Sequence, residues 1–161
     1  MTHVCGDALD QPLSPQAFDA VISFLAIVHI PHRPALMKRV HEVLRPGGRC
    51  YIEDLASRAP FTPRDLEDLQ RVVHGVSVTS LEDYARDLCQ AGLSDVVATD
   101  LTDDWAPYAA ERLAGWRRDH EAYSAVAGQE AWAAQDLFYT VIDRLYRSGS
   151  LAGVRLTARA A

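Results

Sequence analysis

The sequence predicts an α/β protein built on one βαβ unit, and three adjacent stretches carry that prediction. Phe18 to Leu25, FDAVISFL, is an apolar run rich in β-branched and aromatic residues, the composition of a buried parallel strand. Pro34 to Arg45 sets Leu36, Met37, Val40, Val43 and Leu44 at helical spacing. Arg49 to Leu55 returns as a second strand after Pro46-Gly47-Gly48. That tripeptide stops the helix, because proline lacks an N–H and glycine takes positive φ cheaply. A strand, helix and strand of these lengths must cross over right-handed.

The elements follow in order. Thr2 to Cys5 reads as a short strand end, and Leu9 to Gln16, with two prolines, as a surface loop. Beyond the βαβ unit, Ala56 to Phe61 is a loop. Thr62-Pro63-Arg64-Asp65 then starts a helix, with Thr62 as N-cap, Pro63 in the first turn and Asp65 in the capping position. Leu66, Leu69, Val72 and Val73 are its apolar face and Gly75 its stop. Thr79-Ser80 starts the next helix, with Leu81, Tyr84, Ala85, Leu88 and Ala91 on one face and Gly92 at its end. Val96 to Asp100 is a strand. Asp103 or Asp104 caps a long helical region, which Gly128 interrupts before a helix over 131–147; Leu151 to Ala158 is the last strand.

At 161 residues the chain suits a single domain, with no internal repeat or low-complexity segment. A net charge of -6, with the basic residues scattered, argues against nucleic acid as a partner. No run approaches a membrane span, and Met1-Thr2-His3-Val4 lacks the features of a secretory leader, so the expected location is cytoplasmic with no membrane partner. Cys5, Cys50 and Cys89 match no zinc or redox spacing and are expected as buried small hydrophobes.

FDAVIS, then VHI, then VLRPGGRCYIEDL resembles the class I S-adenosylmethionine-dependent methyltransferases of small molecules. In that resemblance FDAVIS is the fourth strand and RPGG leads into the fifth. Gly6-Asp7-Ala8 is similar to the end of the third. SLEDYARDLCQAGLSDVVATDLT resembles the family's following helix and sixth strand, and 151–158 its antiparallel seventh. The implied fold is a partial Rossmann-like methyltransferase sheet of strands 3, 4, 5, 7 and 6. The whole chain is then the C-terminal portion of one domain, and an extra helical pair over 103–148 is an insertion or lid within it.

The resemblance also implies a cofactor, S-adenosylmethionine, and its contacts. The Asp7 carboxylate would accept from the adenine amino group and the Ala8 N–H would meet the ring. Phe24 and Leu25 would lie beside the bound cofactor near the transferred methyl. Ligands of doubly wound sheets bind beyond the carboxyl ends of the strands, where these residues fall. The plainer alternative for Asp7 is an Asx turn.

His29 is the candidate base for a small-molecule methyl acceptor, since imidazole titrates near neutral pH; its alternative is a hydrogen bond to a backbone carbonyl. Glu53, Tyr84, Trp105, Trp116 and Tyr139 join His29 as candidate substrate contacts. Glu53 and Asp54 end a strand at the ligand edge, and His74 and Tyr84 come from the helices that follow. Trp105, Tyr108, Trp116, Tyr123, Trp132, Phe138 and Tyr139 form an aromatic cluster able to hold an apolar or cationic ligand. Helix-on-helix packing is the alternative for most of them. His29 and His32 lack a third ligand at matching spacing, so no metal is expected.

The family's glycine-rich loop and the acid ending its second strand have no counterpart, and no Gly-x-Gly occurs. The first reading is therefore S-adenosylmethionine-dependent methyl transfer by a chain inactive alone. The second is a non-catalytic remnant or binding module retaining the later half of the fold. A different nucleotide-binding α/β enzyme ranks third, for want of a phosphate loop. The expected exposed sheet edge would favour self-association or a partner supplying further strands.

Overall fold

A computed structural model describes residues 3–161. Four strands form one sheet in the order β1-β2-β4-β3: β1 (Phe18–Phe24), β2 (Leu44–Ser57), β3 (Leu93–Asp100) and β4 (Leu151–Ala160). β1 runs parallel to β2, and β4 lies antiparallel between β2 and β3. This is the 4-5-7-6 run of the expected sheet. The third strand is a correction: Thr2 lies outside the described residues, and His3 to Cys5 form no strand. An extended segment counts as a strand only where a neighbour takes up its backbone hydrogen bonds, and none does so here.

The helix α1 (Arg33–Val43) makes the β1–β2 crossover. The Pro46-Gly47-Gly48 turn is absorbed into β2 as a bulge, where the β1 partner shifts between Phe18 and Ala20. Alternation along β2 sends Cys50, Ile52 and the side chain of Asp54 to one face. There α1 contributes Leu36, Met37 and Val40, and α3 (Leu81–Gln90) contributes Tyr84 and Leu88, to the main core. Arg33 joins the two helices, its Nε donating to Asp87 at 2.7 Å.

The opposite face is open along much of β1. Ile22 and Phe24 are 63% and 61% exposed, so β1 is the exposed apolar sheet edge that was expected, although its composition is that of a buried strand. Among the described residues only β2 flanks it, and none covers Ile22 and Phe24.

Past the carboxyl ends of β1 and β2 a second core forms. It takes Val28, Leu55 and Leu151 together with α4 (Thr102–Arg118) and α6 (Gln129–Arg147). The expected helical pair is thus three helices, with the short α5 (His120–Ala127) between α4 and α6. Gly128 separates the last two at φ 87°. The helix α2 (Pro63–Asp68) opens on the anticipated capping box, Thr62 exchanging hydrogen bonds with Asp65. It continues as a π turn, Leu69–Val73, which His74 ends in the left-handed region at φ 58°, in place of the expected Gly75. Leu66 is exposed because the apolar face begins only at Leu69. Arg144 of α6 reaches both Asp65 and Asp68, fastening α2 to the helical layer.

Of the cysteines, only Cys50 is buried, its thiol pushed up to about 12 by that burial; Cys5 and Cys89 are exposed.

Candidate active site

The segment after β1 turns away from the sheet at Leu25, whose φ of 48° is a left-handed conformation uncommon for a leucine. The Leu25 N–H still donates to the Glu53 carbonyl at 2.8 Å. Ile27–His29 then forms a single 3₁₀ turn with Ile27 and Val28 buried.

That turn is held from two sides. The fully buried Asp54 carboxylate accepts the Val28 N–H at 2.8 Å through Oδ2 and its neighbour Leu55 N–H at 2.9 Å through Oδ1. Tyr84 adds its hydroxyl to Oδ2 at 3.0 Å. Burial pushes the Asp54 carboxyl above the usual carboxylate range, and these three hydrogen bonds work against the shift. From the other side, the Val28 carbonyl accepts the N–H groups of Val76 at 2.9 Å and Ser77 at 3.1 Å.

The turn presents His29, which is exposed. Its Nδ1 donates to the His74 carbonyl at 2.9 Å. A carbonyl can only accept, so Nδ1 carries the proton and Nε2 of the neutral ring keeps its lone pair. The carbonyl contact foreseen as the alternative to a base therefore sets the tautomer a base requires. The strained conformation of His74 aims that carbonyl.

Leu25, Val28 and His29 form one wall of a cavity of about 510 Å³. Leu55 and Val73 line it from the sheet and the π turn, and Trp105, Tyr108, Arg112, Phe138 and Tyr139 from α4 and α6. Trp105 comes this close to the sheet because Gly153 of β4 has no side chain: a Cβ there would stand 2.5 Å from the indole ring. Tyr146 also lines the cavity, and its buried hydroxyl has no hydrogen-bond partner among the described residues.

Of the residues singled out in the sequence, the structure gathers Leu25, His29, Trp105, Tyr108, Phe138 and Tyr139 at this cavity. The others lie elsewhere. Asp7 is exposed, and its Oδ1 accepts the Leu9 N–H at 2.9 Å in the Asx turn. Oδ2 accepts no hydrogen bond from the described residues, and Ala8 is exposed beside it. Phe24 sits on the open sheet face, its ring 5.7 Å from that of Tyr51.

Glu53 is on that same face and is held by Arg155 at 2.7 Å. The Tyr51 hydroxyl, followed by Arg155, keeps its carboxyl below the usual range. Tyr84 is 1% exposed and committed to Asp54, so it has no face to offer a substrate. Trp116 stacks on Tyr123 with centroids 4.2 Å apart and donates to the Trp132 carbonyl, inside the helical layer.

Asp54 was expected at the ligand edge, but as a substrate or ion-pair contact and not as the buried anchor of the turn. Arg112, Gly153 and Tyr146 carried no sequence signal for the site, since only tertiary packing brings them together. Among the described residues no group of three metal-ligating side chains occurs, and no helix is long and apolar enough to cross a membrane.

The order of the sheet agrees with the comparisons to known proteins. The methyltransferase domain family matches residues 1–52. The chain is 31% identical over 124 residues to phosphoethanolamine N-methyltransferase 1 of Triticum aestivum, covering 77% of this chain and 25% of that protein. It is 34% identical over 117 residues to 27-O-demethylrifamycin SV methyltransferase of Amycolatopsis mediterranei, covering 69% and 43%.

Among solved structures, Haemonchus contortus phosphoethanolamine N-methyltransferase 2, in complex with phosphomonomethylethanolamine and S-adenosylhomocysteine, superposes with a TM-score of 0.86. The identity is 19%, covering 95% of this chain and 36% of that one, a likeness of fold. The chain thus spans less than half the length of these relatives. Together these matches support a class I S-adenosylmethionine-dependent methyltransferase family for the chain, with partial coverage of the domain. S-adenosylmethionine is the cofactor of that family.

Proposed function

We propose that this chain supplies the acceptor-binding side of a methyltransferase site acting on a small molecule, with His29 as the base. The observation that carries this reading is the fixed tautomer of His29 at an apolar cavity. Its Nδ1–H is held by the His74 carbonyl at 2.9 Å, leaving Nε2 to take a proton from the acceptor's nucleophilic atom. The rigid turn beneath it fixes where that nitrogen sits, and Trp105 and Tyr139 enclose the acceptor. Positioning is the main contribution such a site makes.

When bound, the cofactor supplies a methyl group from a sulfonium that needs no further activation. The described residues fit one side of it. Asp7 Oδ2, which accepts nothing from the described residues, would meet the adenine amino group, with the Ala8 N–H alongside. Exposed Phe24 and Leu25 lie next to the strand end where the methyl group would come. The helical layer over 103–148 acts as the lid of the acceptor site.

Nothing in residues 1–161 replaces the several backbone contacts of the family's glycine loop, each charge-assisted hydrogen bond of which is worth about 1.5–3 kcal/mol. On its own the chain therefore transfers no methyl group at a measurable rate. The open, apolar β1 edge favours association with another chain.

The test uses residues 1–161 alone and a chimaera. In the chimaera, the segment of the Amycolatopsis mediterranei relative that precedes its matched region is joined ahead of this chain. Labelled cofactor and a panel of acceptors are then supplied. Transfer by the chimaera and none by the chain alone is expected. Saturable micromolar cofactor binding by a monodisperse 1–161 monomer overturns the second half of this reading. A folded, cofactor-binding chimaera that methylates nothing in the panel counts against the first.

A further inference from the structure

We infer that the cavity takes an apolar acceptor bearing one anionic group, which Arg112 anchors at the cavity's edge. The inference rests on the proposed reading of the cavity as the acceptor site and names the class of molecule that fits it.

Charge pairing across the surface singles out this arginine. Among the described residues every arginine except Arg49 and Arg112 lies within 4.0 Å of a carboxylate. Of the two, only Arg112 lines this cavity. It is exposed, and its Nη2 donates to the Tyr139 hydroxyl at 3.0 Å with the guanidinium carbon 5.6 Å from that ring's centroid. The tyrosine holds the guanidinium in place without neutralising it, and the remaining N–H donors of the planar fork stay free.

The rest of the wall fixes the other half of the ligand. Leu25, Val28, Leu55, Val73, Phe138 and Ile142 offer only hydrocarbon. No aspartate or glutamate lines the cavity, so an ammonium group there would meet the arginine with no compensating carboxylate. A carboxylate, phosphate or sulfate at the edge would pair with the guanidinium while its apolar body fills the interior. Such a pair, next to apolar wall, is a charge-assisted and geometrically specific contact. Tyr108, beside Arg112 on α4, adds a hydroxyl at the same edge.

The experiment compares three ligands of one aromatic body: 2-naphthoate, the neutral 2-naphthamide and the cationic 2-naphthylmethylamine. Each is titrated calorimetrically into residues 1–161 and into the chimaera, as wild type, Arg112→Gln and Arg112→Lys. Naphthoate is expected to bind about tenfold tighter than the amide, with the amine weakest. Arg112→Gln should bring naphthoate down to the amide, and Arg112→Lys should keep part of the preference.

Absence of any charge preference, or a preference untouched by Arg112→Gln, overturns the anchor. Failure of all three ligands to bind overturns it as well. The methylation assay separates this from the underlying reading. Transfer to neutral acceptors without charge-selective binding removes the anchor and keeps the acceptor site. Arg112-dependent binding without transfer to any acceptor keeps the anchor and removes the methyl transfer.

Discussion

The Asp54 carboxylate accepts the backbone N–H of Val28 at 2.8 Å in a fully buried position. Through this one contact the carboxyl end of β2 sets the height of the turn that carries His29. Val28 and Tyr84 both depend on the same oxygen, so Asp54 couples the main core to the candidate site.

Replacing Asp54 by alanine removes the acceptor of three buried donors, the Val28 and Leu55 N–H groups and the Tyr84 hydroxyl, and should destabilise the fold by about 3 kcal/mol. Asp54→Asn should cost less and change the pH dependence. Burial raises the folded pKa of Asp54 above its unfolded value. Its contribution is thus fully present below the unfolded pKa and is lost as pH rises through the folded one. Glu53, Asp65 and Asp136, all lowered by their partners, contribute in the opposite sense, losing stability as pH falls. Denaturant unfolding of both proteins across pH 3–8 (about the range where carboxylates titrate) should show Asp54→Asn falling less as pH rises above 4 or so. Parallel profiles would mean that Asp54 is not ionising in this range.

His29→Ala in the chimaera should lower kcat by about a hundredfold or more, the usual worth of a general base, and leave cofactor affinity within about twofold. Wild-type turnover across pH would leave His29 as a structural residue.

Asp7→Ala in the same background should weaken S-adenosylmethionine binding about tenfold, roughly one hydrogen bond. The Asx turn is a separate variable, because Asp7 Oδ1 already holds the Leu9 N–H at 2.9 Å. Asp7→Asn keeps an oxygen for that turn while removing the charge, so a loss in both variants points to the carboxylate. Calorimetry with unchanged dissociation constants would remove Asp7 from the site.

Gly47→Val and Gly48→Val should both destabilise the chain, by about 1–3 kcal/mol, for different reasons. Gly47 sits at φ 76° with open space around it, so the strain there is in the backbone alone. Gly48 is not left-handed, but its added Cβ would stand 2.8 Å from the Arg45 carbonyl oxygen. Gly47→Asn, which tolerates positive φ, should recover much of the loss, while Gly48→Asn should not. Equal thermal unfolding of the valine variants and wild type would show a different turn geometry.

The βαβ unit and most helix starts were legible in the sequence, because these follow from local rules, while the strand order came from the family resemblance and lost its third strand in the structure. Apolar spacing put Leu36, Met37 and Val40 on one face of α1, and the Thr62–Asp65 box and the Ser80 cap opened their helices where the residues said they would. His29 was legible as a candidate from its place after a strand. Its tautomer was not, because the partner is the carbonyl of His74, far along the chain.

Tertiary structure alone decided that Tyr84 and Glu53 are spent on Asp54 and Arg155, and that Trp116 belongs to the helical layer. It also left apolar side chains of β1 exposed, although their composition is that of a buried strand. Burial depends on what covers a face, and pairing on which distant side chain arrives first; neither is written in residue type or spacing.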